Sequence, residues 1–111
     1  MKNLRKRMLV AMTLACAGCL PAYADCVLPP APSKIPDGNT ATQQEMITAM
    51  ETLKEYNQDV ETYTKCLEYE GRQNHLSPSD VARLHNTAVD TLQKIAAKFN
   101  EQVRTFKAKS G

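Results

Sequence analysis

Four cysteines are the first candidates for chemistry in this 111-residue chain, but Cys16 and Cys19 lie in the predicted signal peptide and should be removed with it, which leaves Cys26 and Cys66. Redox-active cysteines usually form a Cys-x-x-Cys pair in a reactive environment. Cys26 and Cys66 are instead separated by 39 residues, and Cys66 lies within a helical pattern. We therefore expect these two to form a structural disulfide within one chain, with a bond between two chains as the alternative.

The histidines and carboxylates match no catalytic or metal-binding motif. His75 and His85 have no histidine or cysteine three or four residues further on, whereas a metal site needs three or four convergent ligands. Weak surface binding of a divalent metal by His75 with Glu70 or Asp80 is the alternative. The sequence also lacks Gly-x-Ser-x-Gly and a phosphate-binding glycine loop. We expect no enzyme activity, no catalytic residue, no cofactor and no metal.

Aromatic and methionine side chains provide a candidate interaction surface. Tyr56 and Tyr63 fall on an apolar helical stripe, and tyrosine and methionine are both enriched at protein interfaces. Met46 and Met50 form a further apolar group near the start of the same stripe. The alternative interpretation is that these side chains line the core.

The N-terminus has the pattern of a secretory signal peptide. Residues 8–20 carry no charge, and Pro21-Ala22-Tyr23-Ala24 has small residues at both positions that a signal peptidase recognises. The basic residues before them are Lys2, Arg5, Lys6 and Arg7. We expect cleavage between Ala24 and Asp25 and a mature protein in the periplasm or secreted. The minor alternative is a lipoprotein, anchored through a lipid on Cys19.

Removal of residues 1–24 changes the charge of the chain. The other 87 residues carry 10 basic and 12 acidic side chains, a net charge of −2, whereas the whole chain has +2. The basic excess therefore belongs to the signal and gives no evidence for nucleic-acid binding. A single domain of this size buries a small core, so a disulfide or a partner is expected to stabilise it.

Residues 25–41 are expected to form an extended arm, because prolines fix φ and remove backbone donors. Its prolines are Pro29, Pro30, Pro32 and Pro36. Residues 36–39, Pro-Asp-Gly-Asn, are typical of a tight turn.

The first helix is predicted over about residues 43–70. Thr42 and Glu45 have the spacing of a capping box, and Gly71 is a plausible left-handed stop. Apolar residues recur with heptad spacing, as in a coiled coil. They are Met46, Ala49, Leu53, Tyr56, Val60, Tyr63 and Leu67.

The second helix is predicted over about residues 78–108. Ser77 is the expected N-cap, Pro78 the first helical residue, and Asp80 lies near the positive end of the helix dipole. The apolar stripe consists of Val81, Leu84, Ala88, Leu92, Ile95, Phe99, Val103 and Phe106.

The short polar loop between the helices predicts an all-α fold, an antiparallel two-helix hairpin spanning residues 42–111. Opposite charges agree with this, since residues 43–70 carry a net −5 and residues 78–109 a net +3. Cys66 lies about 36 Å along the first helix, and the arm from Cys26 to Thr42 can extend about 50 Å. The arm can therefore return along the helix to a Cys26–Cys66 bond, and we expect Val27, Leu28 and Ile35 to cover the stripe.

Several features together resemble small uncharacterised exported helical proteins of Gram-negative bacteria. They are the signal peptide, an early cysteine, Ile35-Pro36-Asp37-Gly38, a capped amphipathic helix and Tyr63-x-x-Cys66-Leu67. The resemblance covers about residues 25–70 and implies export and the Cys26–Cys66 pairing, but no activity and no functional residue.

The expected function is non-enzymatic binding or scaffolding in the periplasm, with a protein partner or a homo-oligomer such as a dimeric four-helix bundle. The alternative is a structural or stress protein of the cell envelope. It would associate with membrane or peptidoglycan through the basic C-terminal end, Arg104 to Lys109. Membrane association is not expected otherwise.

Overall fold

The computed structural model describes residues 26–110, which form two α-helices, an extended arm and a connecting loop. Helix α1 spans Gln43–Arg72 and α2 spans Pro78–Ser110. The helices pack against each other as the predicted hairpin, and residues 26–110 contain no strand. Neither helix has an apolar stretch long enough to cross a membrane. The predicted signal peptide, its cleavage site, Cys16 and Cys19 lie outside the described residues.

The capping box at the start of α1 is confirmed. The Glu45 N–H donates to Thr42 Oγ1 at 3.1 Å, and the Thr42 N–H donates to Glu45 Oε2 at 2.7 Å. Both bonds satisfy backbone donors that lack partners within the helix, so these residue types fix where α1 begins.

The predicted end of α1 is wrong by two residues. Gly71 lies inside the helix, which ends at Arg72, and the left-handed residue of the loop is Asn74 with φ 60°. A Cβ at Gly71 would lie 2.9 Å from Val81 Cγ2. The missing side chain of Gly71 therefore lets the first turn of α2 approach α1, and Asn74 tolerates the positive φ that the chain reversal requires.

The start of α2 is confirmed at Ser77, whose hydroxyl accepts from the Asp80 N–H at 3.1 Å. Hydrogen bonds from Arg83, and then from Ser77, lower the pKa of the exposed Asp80 carboxyl below its ordinary value. This carboxylate lies in the first turn, where the helix dipole favours negative charge.

The two predicted stripes form the core of the hairpin. One cluster of buried residues lies nearer the loop and contains Tyr56, Val60, Tyr63, Leu67 and Ala88. A second cluster lies at the open end and contains Ala41, Met46 and Phe99. Five of the seven α1 stripe residues are buried, but only Ala88 and Phe99 are buried among the eight of α2. Part of the α2 stripe therefore stays accessible after the helices have paired.

The arm follows the predicted path back along α1. The Cys26–Cys66 disulfide joins its start to the helix with a Cα–Cα distance of 5.6 Å. At its other end, the Thr40 and Ala41 N–H groups donate to the Asp37 carbonyl at 3.1 and 2.8 Å. The Gly38 N–H donates to Gln102 Oε1 of α2 at 2.8 Å, so the turn is fastened to the second helix.

The expectation that Val27 and Leu28 cover the stripe is wrong, because these side chains are 75% and 53% exposed. The partly buried arm residues before the turn recur at every third position, at Cys26, Pro29, Pro32 and Ile35. A polyproline II helix has three residues per turn, so one residue in three faces the surface on which it lies. Val27 and Leu28 occupy the outward positions, and Ile35 packs against the second core cluster as expected.

Candidate interaction site

The groove between α1 and α2 has two sides, and the arm lies on one of them. On that side a cavity of about 800 Å³ extends between the arm and the open half of the hairpin. Its apolar residues include Ile35, Ala49, Leu53, Ile95 and Phe99. The arm is thus a third layer over this side.

On the other side of the core stripes, the groove is not covered by the arm. We call this surface the open seam; its cavity has a volume of about 620 Å³. It is lined by Met50, Leu53, Lys54, Asn57 and Gln58 of α1 and by Leu92, Gln93, Ala96, Phe99 and Asn100 of α2. Leu53 and Phe99 contribute to both sides, so they form the floor that separates the two cavities.

The chemistry of the open seam is apolar and amide-rich. Its floor is made of Leu53, Leu92 and Phe99, with Met50 standing 40% exposed at the edge. The polar lining residues are four primary amides and one charged side chain, Lys54. A shortage of charge combined with an accessible methionine is typical of the centre of a protein interface.

The four residues predicted as an interaction surface are separated by the fold. Met46, Tyr56 and Tyr63 are only 7%, 4% and 6% exposed and line the core, which was the alternative interpretation. Burial raises the pKa of the Tyr56 hydroxyl above its ordinary value. Met50 alone among the four is exposed, and it lies on the open seam.

Most of the open-seam residues were missed by the sequence interpretation. Asn57, Gln58, Gln93, Ala96 and Asn100 flank the stripes and would ordinarily be assigned to a solvated face. One sequence signal could help to locate the open seam. At the middle of both helices, the residues that flank the stripes on this side have amide or small side chains. That signal gains meaning only once the side taken by the arm is known.

Glu70 and His75, the candidate metal ligands, contact each other where α1 meets the loop. Glu70 is buried at 5% exposure, and its Oε2 lies 2.7 Å from His75 Nδ1. The Glu70 carbonyl also accepts from the His75 N–H at 2.9 Å. These contacts hold the loop against the end of α1. No group of three or more histidine, cysteine or acidic residues converges within residues 26–110 to hold a metal.

Cys26 and Cys66 are joined within one chain, as predicted, and the bond lies on the arm side of α1. Val27 and Pro29 of the arm lie beside Asp59 and Tyr63 next to this bond. The disulfide therefore fixes the arm to one side of the hairpin and leaves the open seam accessible.

Comparisons with protein-family models, curated proteins and solved structures give no match to this chain. Its function is therefore inferred from its own geometry.

Proposed function

We propose that this chain is a non-enzymatic binding or scaffold protein of the periplasm, and that it acts by holding a helical partner in the open seam. The observation that carries the proposal is the uncovered groove itself. Leu92 and Ala96 are only partly buried by their own chain, and Met50 projects beside them. A helix packed there would remove this apolar surface from water, which is the main driving force of association.

The three-layer architecture supports a binding role over a purely self-contained fold. The disulfide and the Gly38–Gln102 hydrogen bond hold the arm on the opposite side. The arm therefore has no free length to cover the open seam. A partner helix would complete the layer that the arm does not supply, as a neighbouring helix does in a four-helix bundle.

The proposed location rests on covalent chemistry and on the N-terminal pattern. Structural disulfides persist in oxidising compartments such as the periplasm. The basic, apolar and Ala-x-Ala segments of residues 1–24 are those of an export signal. Both features support export of the chain before it binds its partner.

Thiol labelling in cells that produce the chain tests the proposal. Ala96→Cys places a thiol in the open seam, and Lys98→Cys places one on the exposed, opposite face of α2. We expect position 96 to label several-fold more slowly in cells than in the purified chain diluted until light scattering shows single chains, and position 98 to label equally in both. The wild-type chain gives the background. Equal labelling of position 96 in the two settings would overturn the proposal.

The second candidate function is association with the cell envelope through the C-terminal end of α2. The observation that favours it is the exposure of Arg104, Lys107 and Lys109 on the last turns. Attraction between exposed charges is screened by salt. This candidate predicts that the chain leaves the envelope fraction in high salt and that Lys107→Glu with Lys109→Glu has the same effect. Retention of the double variant in that fraction would contradict it.

A further inference from the structure

The open seam has the chemistry of a surface that complements itself. In a two-fold interface the same surface of two copies comes together. Each side chain must therefore find its partner among the residues of that same surface. The amides Asn57, Gln58, Gln93 and Asn100 each carry both a donor and an acceptor and can pair with one another. Lys54 can extend its ammonium group to the rim while its methylene groups pack.

The two ends of the hairpin carry opposite charge. Residues 57–92, around the loop, contain six acidic and three basic side chains, a net −3. The described residues of the open end, 32–56 and 93–110, contain five acidic and seven basic side chains, a net +2. Two copies packed with their loops together would place like charges side by side, whereas the reversed orientation places the acidic end against the basic end.

From these two observations we infer that the occupant of the open seam is a second copy of this chain, packed antiparallel about a two-fold axis that crosses the helices near Ala96. The inference rests on the proposed function and names its partner. The product is a four-helix bundle with the open seams inside and the two disulfide-held arms outside.

Exposed charges on the edges of the open seam match this orientation. Glu61 and Glu68 follow Asn57 by four and eleven residues on α1, and Arg104 and Lys107 follow Asn100 by four and seven residues on α2. All four side chains are exposed. When the two-fold axis crosses α2 near Ala96, the basic pair of the second copy lies at nearly the same height along the bundle as the acidic pair of the first copy. The two heights agree to within one helical turn, at a rise of 1.5 Å per residue.

Light scattering on the processed full chain with its disulfide intact tests the identity of the partner. We expect twice the mass of one chain for the wild type and for Ala97→Glu, and the mass of one chain for Ala96→Glu. A carboxylate at position 96 would be buried between two copies, whereas at position 97 it stays in water. Circular dichroism should show that both variants retain the wild-type helix content, since each position is a helical alanine replaced by a good helix former.

Each other outcome overturns the inference in a distinguishable way. A wild-type chain that stays monomeric throughout a concentration series excludes the second copy. Slow labelling at position 96 in cells would then still support a different helical partner. A dimeric Ala96→Glu variant excludes the open seam as the interface.

The orientation is tested with a spin label at Lys107→Cys. In the antiparallel dimer the two labels lie about 33 Å apart along the helix axis, because each is 11 residues from the axis at 1.5 Å per residue. A parallel pair would bring them near the interaxial distance of packed helices, about 10 Å. The shorter separation would overturn the antiparallel arrangement.

Discussion

Gly38→Ala is the single substitution that most sharply tests how the arm is held. Gly38 is buried in the turn, and its N–H donates to Gln102 Oε1 at 2.8 Å. A Cβ at this position would lie 2.2 Å from the Gln102 carbonyl oxygen and 2.8 Å from the Phe106 nitrogen. These are backbone atoms of a continuous helix, so they cannot move aside as a flexible side chain would.

The expected cost follows from the two consequences of that clash. Forcing a methyl group into a filled contact costs about 1–3 kcal/mol, and loss of the Gly38–Gln102 hydrogen bond adds about 1 kcal/mol. The sum is about 3 kcal/mol. For a chain of this length, 1 kcal/mol corresponds to about 4–8 °C, so Tm should fall on the order of 15 °C.

Thermal unfolding followed by circular dichroism measures this change, with two variants as controls. Gln102→Ala removes the hydrogen bond without adding a clash and should cost about 1 kcal/mol. Gly71→Ala places its Cβ 2.9 Å from a side-chain atom, Val81 Cγ2. The β-branched Val81 side chain is stiff, so the helices must separate slightly there, but alanine gains about 1 kcal/mol over glycine within a helix, so the net loss of stability should be well below that of Gly38→Ala.

A Gly38→Ala variant that melts within a few degrees of the wild type would contradict this expectation. Such a result would mean that the turn does not touch α2 in solution. A variant that matched Gln102→Ala would assign the whole effect to the hydrogen bond and none to the close approach.

Three further predictions concern the tether, the core and alkaline pH. Cys66→Ser should lower the free energy of unfolding by about 4 kcal/mol, the chain-entropy value for a loop of this length, as measured without reductant; an unchanged Tm would contradict it. Leu67→Ala, at a side chain 1% exposed, should cost about 3 kcal/mol in chemical denaturation, whereas Leu28→Ala should change little because its side chain is 53% exposed. Tyr56 should make no pH-dependent contribution to stability well below pH 10, and stability measured by chemical denaturation should fall above pH 10, since the raised pKa of Tyr56 lets the unfolded chain ionise first; Tyr56→Phe should weaken this fall.

The helices could be predicted from the sequence because their signals are local. The Thr42–Glu45 capping box and the Ser77 N-cap each act within one helical turn. The first starts α1 and the second starts α2, both where the sequence predicts. The end of α1 was harder to predict, since Gly71 could be either the left-handed residue that ends the helix or the site of a close contact between helices. The contact with Val81 shows that the second role applies, and this contact depends on the tertiary fold.

The path of the arm could be predicted from the sequence, but the side chains that it turns toward the helices could not. Chain length and the Cys26–Cys66 pair limit where the arm can run, and this part was correct. Its three-residue repeat determines which side chains face the helices, and hydrophobicity alone wrongly favoured Val27 and Leu28. The sequence places Gly38 in a tight turn, where glycine is common, yet within the described residues no glycine has a positive φ. Its requirement is the approach to α2, a contact across 64 residues of sequence.

The candidate site was the least predictable part. Apolar and aromatic side chains on a stripe point to the core before they point to a partner, and Tyr56 and Tyr63 lie in the core. The open seam instead consists of residues beside the stripes, including Asn57 and Ala96. Which flank stays uncovered depends on the side that the arm takes, and a single sequence does not show this.

Photo-crosslinking in cells from a photoreactive residue at position 96 tests directly whether the open seam holds a partner, with position 98 on the exposed, opposite face of α2 as the control. A discrete crosslinked product is expected from position 96 and none from position 98, and the mass of that product shows whether the partner is a second copy. Equal crosslinking from both positions, or none from position 96, would contradict the claim that this chain works through its open seam.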